Sequence, residues 1–194
     1  MKTPAGKVRI IGGRWRGTRL PVADSPGLRP TSDRARETLF NWLQPVLPGA
    51  RVLDLFAGSG ALGLEALSRG AAEALLVERD PALARALEDN LRRLDAGPAA
   101  RVARADAVAF LGLPVHGRFD VVFMDPPFGA ALWQPALGAL GPWLAEEAWL
   151  YLESPIGAVQ DPAGAWQPHR EMQTRDARHA LYRRAHGGAD PAPR

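Results

Sequence analysis

The sequence contains no cysteine in its 194 residues. Disulfides, thiolate metal sites and a cysteine nucleophile are therefore excluded, and with them the enzymes that modify a pyrimidine carbon through a covalent cysteine adduct. The four histidines (His116, His169, His179 and His186) are scattered, and none has the spacing of metal ligands. We therefore predict no metal site.

Long apolar runs are also absent from the sequence. No stretch approaches the length that spans a bilayer, and the residues from Met1 to Pro4 lack the pattern of a signal peptide. Hydrophobic residues nevertheless make up 46% of the chain, which suits one full-sized domain with a short attachment. We expect a monomeric cytoplasmic protein with no membrane contact.

Acidic residues are scarce at the start of the chain. Residues 1–36 carry nine Lys or Arg against two acidic residues, whereas residues 50–153 carry nine basic and fourteen acidic residues. Residues 169–194 carry six basic and three acidic residues. This asymmetry indicates a polyanion that is recruited by one segment and processed by another, although a solubilising surface would give the same counts.

Strands and helices are predicted to alternate along most of the chain. Strands are predicted over Val8–Ile11, Thr18–Val22, Arg51–Phe56, Ala74–Glu78, Arg101–Arg104, Phe119–Met124, Trp149–Leu152, Trp166–Met172 and His179–Arg184. Helices are predicted from Thr31 or Ser32 to Leu43, over Ala61–Arg69, over Pro81–Leu94, from about Asp106, and over Trp133–Leu144. Near-continuous apolar strands separated by helices indicate a parallel sheet covered on both faces.

This order predicts an α/β protein with a Rossmann-like fold. We expect a mostly parallel sheet with an antiparallel edge formed by the last two strands, and helices on both faces. Residues 1–45 are predicted to form a small basic β-hairpin and helix extension, and residues 46–186 the domain that contains the sheet. Residues 187–194 form a Gly, Ala and Pro tail that we expect to be disordered.

A glycine-rich turn follows the first apolar strand of the predicted sheet. Gly58, Gly60 and Gly63 match the dinucleotide-binding spacing, and Glu78 lies 20 residues after Gly58, where an acid would accept ribose hydroxyls. Glycines permit a tight turn and a close backbone approach to the ligand. The turn by itself fits NAD and S-adenosylmethionine equally well.

Two further acids favour S-adenosylmethionine over NAD. Asp54 stands inside the end of the first strand, where it would attract a cationic sulfonium or amino group and repel a pyrophosphate. Asp106 follows the third strand and could accept from an adenine amine, although any of these acids could instead orient a loop or cap a helix. The predicted cofactor site comprises Asp54, Phe56, Ala57, Gly58, Ser59, Gly60, Glu78 and Asp106.

The apolar strand Phe119–Met124 runs directly into Asp125, Pro126, Pro127 and Phe128. The prolines force the chain to leave the sheet rigidly at the edge where such sheets bind ligands. The Asp125 carboxylate and a fixed carbonyl such as that of Pro126 would accept hydrogen bonds from an exocyclic base amine and favour tetrahedral nitrogen. Phe128 would stack on an extruded base. The alternative is an ordinary strand followed by a Pro-Pro turn.

Basic and aromatic residues of the first segment form a candidate RNA surface. Trp15 lies among three arginines of the predicted hairpin, and further arginines flank the entry to the first helix. The predicted RNA-binding residues are Arg14, Trp15, Arg16, Arg19, Arg29, Arg34 and Arg36. Any of these arginines could instead belong to a solvated surface or pair with Asp33 or Glu37.

The sequence resembles the RsmD family of small-subunit ribosomal RNA guanine-N2 methyltransferases. The likeness rests on Arg9–Gly13, Leu28–Arg34, Arg36–Leu43, Phe56–Ala71, Asp125–Phe128 and Tyr151–Ser154. We therefore predict a Rossmann-like S-adenosylmethionine-dependent methyltransferase fold, with residues 46–186 as the methyltransferase domain and residues 1–45 as its RNA-binding extension. The resemblance implies N2 methylation of one guanine in 16S ribosomal RNA, on a small subunit or an assembly intermediate. It also implies that Gly58–Gly60, Glu78 and Asp106 hold S-adenosylmethionine, and that Asp125–Phe128 hold the target base.

Rival functions remain open at this stage. A DNA adenine-N6 methyltransferase shares the Asp-Pro-Pro-aromatic turn, but it usually needs an added region that reads duplex sequence. An NAD-linked oxidoreductase would explain the glycine turn and leave Asp125–Phe128 without a role. A binding module that has lost catalysis would have no need of Asp125. The guanine-N2 reading accounts for more of the sequence than any of these.

Overall fold

The computed structural model describes residues 6–23 and 32–185. The strands are β1 (Lys7–Arg9), β2 (Arg19–Pro21), β3 (Arg51–Asp54), β4 (Glu73–Val77), β5 (Ala100–Ala103), β6 (Phe119–Met124), β7 (Leu144–Pro155), β8 (Trp166–Gln173) and β9 (Ala177–Arg184). The helices are α1 (Asp33–Leu43), α2 (Ala61–Ser68), α3 (Pro81–Arg93), α4 (Ala107–Leu111) and α5 (Trp133–Leu140). The predicted cap Thr31 and the predicted tail 187–194 lie outside the described residues. Ser32 caps α1 by accepting from the Ala35 amide.

A seven-stranded sheet has the order β5-β4-β3-β6-β7-β9-β8. The pairings from β5 through β7 are parallel, and those of β9 with β7 and β8 are antiparallel. The predicted mostly parallel sheet with an antiparallel edge is confirmed. The first parallel strands end at one edge, so the residues that follow them meet there.

Alternate residues of the strands belong to two hydrophobic clusters on opposite faces of the sheet. Val52, Val121 and Phe123 pack on the face covered by α1, α2 and α3. Leu53 and Val122 pack on the face covered by α4 and α5. Because both faces are buried, β6 contains apolar residues at nearly every position, which explains its continuous hydrophobic run.

The amino-terminal hairpin shares the first of these cores. Val8, Ile10 and Leu20 are at most 8% exposed and belong to the cluster that contains Phe123 and Tyr151. The predicted hairpin strands are shortened to Lys7–Arg9 and Arg19–Pro21, and a 3-10 turn occupies Gly13–Trp15. The described part of the extension therefore packs as one body with the sheet.

The largest departure from the predicted elements lies between α5 and β7. The helix expected to reach Leu144 ends at Leu140, since Gly141 and Pro142 begin a 3-10 turn, and β7 begins at Leu144 instead of Trp149. The early part of β7 is half exposed and contains Glu146 and Glu147, which masked the strand pattern. Across residues 6–23 and 32–185, none of the helices is long and apolar enough to cross a membrane.

Candidate active site

A cavity of about 240 Å³ lies at the carboxyl edge of the parallel strands. The loops after β3, β4, β5 and β6 and the end of β7 line it. Its lining includes Asp54, Phe56, Ala57, Gly58, Ser59, Glu78, Asp106, Asp125, Pro126, Pro127, Phe128 and Glu153. The structure therefore brings together all the predicted catalytic residues and all the predicted cofactor residues except Gly60, which starts α2 beside the cavity.

Gly60 shapes the glycine turn. It precedes α2 with a φ of 78°, in the left-handed region that favours glycine. A Cβ atom on Gly60 would lie 2.5 Å from Leu87 Cδ2 on α3. Glycine at this position thus permits both the turn and its close packing against the neighbouring helix.

Glu78 ties the glycine turn to the end of β4. Its Oε2 accepts from the Gly58 amide at 2.8 Å, and its Oε1 accepts from the Asp80 amide at 2.7 Å. Asp80 in turn caps α3 by accepting from Ala82 and Leu83. Asp80 also lines the cavity, a position that the sequence prediction did not assign.

Asp54 orients the start of α2 from inside the core. It is 2% exposed, and its Oδ2 accepts from the Gly63 amide at 2.9 Å. A Cβ on Gly63 would lie 3.1 Å from that same oxygen, so glycine permits this approach. Burial raises the pKa of Asp54 to about 7, with a smaller contribution from the nearby Glu78 carboxylate, against hydrogen bonds from Gly63 and Phe56.

Asp106 caps α4. Its Oδ1 accepts from the amides of Val108 and Ala109, both at 3.0 Å. The capping alternative is therefore present in the structure, while the side chain also lines the cavity beside Glu78. Within the described residues, no group of three or more His, Asp or Glu side chains is arranged to hold a metal ion.

The Asp125–Phe128 turn leaves the end of β6 and lines the same cavity as the glycine turn, which follows the neighbouring strand β3. Burial raises the pKa of Asp125 well above its usual range, and the carboxylates of Glu153 and Asp54 raise it further. Phe128 is half-buried, and its ring centroid lies 6.2 Å from that of Trp133 on α5. The turn therefore presents an acid and an aromatic ring to the same space.

Glu153 is a site residue that the sequence reasoning missed. It is 8% exposed, lines the cavity at the end of β7, and accepts from the Tyr151 hydroxyl at 2.8 Å. The sequence analysis also assigned no site role to Tyr151, the hydrogen-bond donor to Glu153. The available signal was an acid after an apolar strand, the same one that identified Asp54 and Glu78, but Glu153 received no role apart from the family resemblance.

The predicted RNA residues divide into exposed and buried groups. Arg14, Arg16, Arg19 and Arg34 are exposed, and the Arg14 guanidinium lies 3.9 Å from the centre of the half-buried Trp15 ring. They lie on the hairpin and the start of α1, away from the residues that line the cavity. Arg29 lies outside the described residues.

Arg36 requires a correction. It is 2% exposed, and its Nη2 donates to the Arg9 carbonyl at 2.9 Å and to Asp33 Oδ1 at 2.6 Å. Its Nη1 lies 3.8 Å from the buried Glu65 carboxylate. The alternative pairing with Asp33 is the one observed. Arg36 holds the hairpin to α1 and, because it is buried, has almost no surface with which to contact RNA.

The sheet order and the cavity define the class of protein. The chain has the Rossmann-like fold of S-adenosylmethionine-dependent methyltransferases. A solved putative methyltransferase from Escherichia coli is 47% identical, with a TM-score of 0.85 over 93% of this chain and 99% of that one. A putative methylase from Haemophilus influenzae is 38% identical, with a TM-score of 0.81 over 93% of this chain and 99% of that one.

The family follows from the sequence comparisons. A family model described as "Conserved hypothetical protein 95" matches residues 8–183. The Ribosomal RNA small subunit methyltransferase D of Escherichia coli (strain K12) is 50% identical over 98% of this chain and 99% of that protein. The chain belongs to the RsmD family.

Proposed function

We propose that the protein methylates the exocyclic N2 amine of one guanine in 16S ribosomal RNA, with S-adenosylmethionine as the methyl donor. The observation that carries the proposal is that the Asp125–Phe128 turn and the glycine turn line one cavity, in a chain of the RsmD family. We further propose that the protein acts as a cytoplasmic monomer on the small subunit or on an assembly intermediate.

The cavity fits the proposed cofactor in its shape and in its charge. Gly58 lines the cavity with a φ of 51° and no side chain, so its backbone can closely approach a ligand. Asp54, Glu78 and Asp106 follow three adjacent strands and line the same space, which suits a ligand with a sulfonium, an amino group and ribose hydroxyls. When bound, the cofactor supplies an electrophilic methyl group on its sulfonium sulfur.

Asp125 has the properties required of the group that receives the amine. The lone pair of an exocyclic base amine is delocalised into the ring, so the nitrogen is a weak nucleophile. A hydrogen bond accepted by the Asp125 carboxylate would favour tetrahedral nitrogen, and the rigid Pro126-Pro127 backbone would fix the acceptor in place. The methylated amine carries an acidic proton, and the raised pKa of Asp125 suits it to take that proton.

The hairpin gives the proposed RNA partner a second contact. Arg14 and Arg16 are exposed beside the half-buried Trp15 ring, and the hairpin is fixed to the last residue of α2, a helix whose first turn adjoins the cavity. A phosphate backbone held by the arginines would bring an unpaired base to the cavity without a sequence-reading domain. A DNA adenine-N6 enzyme needs such a domain.

The test is methyl transfer from labelled S-adenosylmethionine to small ribosomal subunits that lack base methylation. The product nucleosides are then identified, with duplex DNA offered in parallel. The proposal predicts N2-methylguanosine in the 16S RNA. Label recovered as N6-methyladenine in the DNA, with none in the RNA, would replace it with the adenine-N6 alternative.

A further inference from the structure

Glu153 and Asp125 occupy equivalent positions on neighbouring parallel strands. Phe123 pairs with Tyr151 and Met124 with Leu152, so the next residues along β6 and β7 are Asp125 and Glu153. Adjacent strands lie about 4.8 Å apart. Both residues line the cavity, so two carboxyl groups face it side by side.

A buried chain of hydrogen bonds fixes the Glu153 carboxylate. The Tyr151 hydroxyl donates to Glu153 Oε2 at 2.8 Å, and His179 Nδ1 lies 2.8 Å from the same hydroxyl. Because the hydroxyl proton goes to Glu153, the His179 Nδ1 carries the hydrogen that the hydroxyl oxygen accepts. Thr174 Oγ1 lies 3.3 Å from the other ring nitrogen of His179.

Burying this series of hydrogen-bonded side chains destabilises the fold relative to an apolar core. Tyr151 is 0% exposed and His179 is 2% exposed, and an apolar pair would fill the same positions without desolvated polar groups. Burial raises the pKa of Asp125, and the neighbouring Glu153 carboxylate raises it further, so the proximity of the two groups opposes the ionisation of Asp125. The titratable groups that face Asp125 are Asp54 from β3 and, from β7, Tyr151 and Glu153. A ligand that offers several N–H donors on one edge would relieve this opposition.

Guanine presents that edge and adenine does not. Guanine carries an N1–H donor beside its N2 amine, so its donors form one continuous row. The amine of adenine adjoins a ring nitrogen that has a lone pair and no hydrogen. A fixed carboxylate would bind the guanine N1–H and would repel the lone pair of the adenine nitrogen.

We propose that Glu153, held by Tyr151 and His179, accepts the N1–H of the target guanine while Asp125 accepts from its N2 amine. Glu153 is thus a specificity-determining residue, and Tyr151 and His179 are positioning residues that act through it. The inference rests on the proposed function, and it assigns the choice of guanine over other amine-bearing purines to the end of β7.

The test compares two bases that both carry an amine at C2. Once the acceptor position is mapped, small subunits are reconstituted with guanosine or with 2-aminopurine riboside there; the latter lacks N1–H. 6-Thioguanosine, which retains N1–H and changes only the group at C6, is the substrate control. The expected kcat/KM of the wild-type protein for guanosine exceeds that for 2-aminopurine on the order of 100-fold or more. Equal values for the two bases would overturn the proposal without any variant.

Variants then assign the discrimination to Glu153. Glu153→Gln is expected to reduce the guanosine to 2-aminopurine ratio at least tenfold, because the amide can donate to the unprotonated N1 of 2-aminopurine. Tyr151→Phe is expected to reduce it less. Glu147→Gln, on the exposed part of the same strand, is the matched control and should keep the wild-type ratio.

Further outcomes distinguish failure of the role assigned to Glu153 from failure of the proposed function. Equal loss on both bases in Glu153→Gln would make Glu153 merely structural, and weaker S-adenosylmethionine binding with an unchanged ratio would make it a cofactor residue. Either result overturns the proposal. If Glu153→Gln fails to fold, Glu153→Asp withdraws the carboxylate by one methylene and should also lower the ratio. Absence of N2-methylguanosine from the wild-type product would instead refute the proposed function.

Discussion

The Gly12 amide donates to Glu65 Oε1 at 2.7 Å, across 53 residues of sequence. Glu65 is fully buried on α2, and its carboxylate also accepts from the Ile11 amide at 2.7 Å and from Arg69 Nε at 2.7 Å. One carboxylate therefore attaches the basic hairpin to the helix that starts at the glycine turn. The position of Arg14 and Trp15 relative to the cavity depends on it.

Replacing Glu65 should destabilise the whole protein. Glu65→Gln exchanges a buried acceptor of several hydrogen bonds for a neutral amide, removes the carboxylate that pairs with Arg69, and leaves Arg36 with Asp33 as its acidic partner. We expect the free energy of unfolding to fall by about 3–5 kcal/mol. Urea titration measures this free energy, and its dependence on urea concentration (the m-value) should be the same as in the wild-type protein. Glu88→Gln, on the exposed face of α3, is the control and should stay within about 0.5 kcal/mol of the wild-type protein.

Two glycines of the hairpin offer a matched pair of substitutions. Gly13 and Gly17 both have positive φ (75° and 85°), but a Cβ on Gly13 would lie 1.8 Å from the Ser68 carbonyl oxygen, whereas one on Gly17 meets nothing within 4 Å. Gly17→Ala should cost about 1–2 kcal/mol from strain alone. Gly13→Ala should cost more, and should weaken RNA binding because the hairpin must move off α2. If Gly13→Ala and Gly17→Ala have the same effect on the thermal unfolding temperature and the same effect on RNA affinity, the hairpin is not anchored on α2 through Gly13.

Removal of the Asp125 carboxylate should separate chemistry from cofactor binding. Asp125→Ala is expected to abolish methyl transfer while the dissociation constant for S-adenosylmethionine changes by less than about threefold, because the role proposed for Asp125 is to accept from the target amine and not to hold the cofactor. Calorimetric binding and a transfer assay measure the two quantities. Asp125→Asn keeps one oxygen acceptor, so residual activity is expected if hydrogen-bond acceptance is the main contribution. Equal loss of binding and transfer in Asp125→Ala would refute the assigned role.

Cofactor affinity should rise with pH around neutrality. The pKa of Asp54 in the protein without ligand is raised to about 7, and a bound cation would lower it again. Below pH 7, binding must therefore release a proton from Asp54, and the affinity should improve up to about tenfold per pH unit between pH 5.5 and 7. Calorimetry in buffers of different ionisation enthalpy counts the released protons. The pH dependence should be lost in Asp54→Asn, and its persistence there would assign the proton to another group.

Reversal of charge on the hairpin should change the salt dependence of RNA binding. The double variant Arg14→Glu, Arg16→Glu removes two proposed phosphate contacts, so the slope of log affinity against log salt should shrink by about 1.5. Arg85→Glu with Arg93→Glu changes the net charge equally on the exposed side of α3 and serves as the control. If both double variants give the same slope, the effect comes from net charge and the hairpin is not the contact.

Patterns that depend on neighbours in sequence were predictable. The bounds of β6 were predicted without error, because an apolar run on a doubly covered strand ends where Asp125 and Pro126 interrupt the ladder. The cofactor and base turns were predicted to meet because parallel strands end at one edge. β7 was predicted to begin five residues too late and to end three residues too early; its first part is half exposed and carries two glutamates, which hid the start of the strand.

Patterns that depend on register across the sheet were not predictable. Arg36 resembles its exposed neighbour Arg34 in sequence, and only the fold shows that α1 turns it toward Glu65 and the Arg9 carbonyl. Glu153 can be recognised as a site residue only from the pairing of Met124 with Leu152, which places Glu153 beside Asp125. His179 contributes through β9, a strand whose position in the sheet its own sequence does not specify.

The insertion of β9 between β7 and β8 has a consequence for the order in which the protein matures during synthesis. Among the described strands β9 (Ala177–Arg184) comes last in chain order, yet it pairs directly with β7, placing His179 opposite Glu153. The nascent chain can build the cofactor half of the cavity early, but it cannot supply His179 to Tyr151 until residue 179 has left the ribosome. The half of the pocket to which we assign base recognition is therefore completed last, so under this proposal the protein cannot select its target base until synthesis is nearly finished.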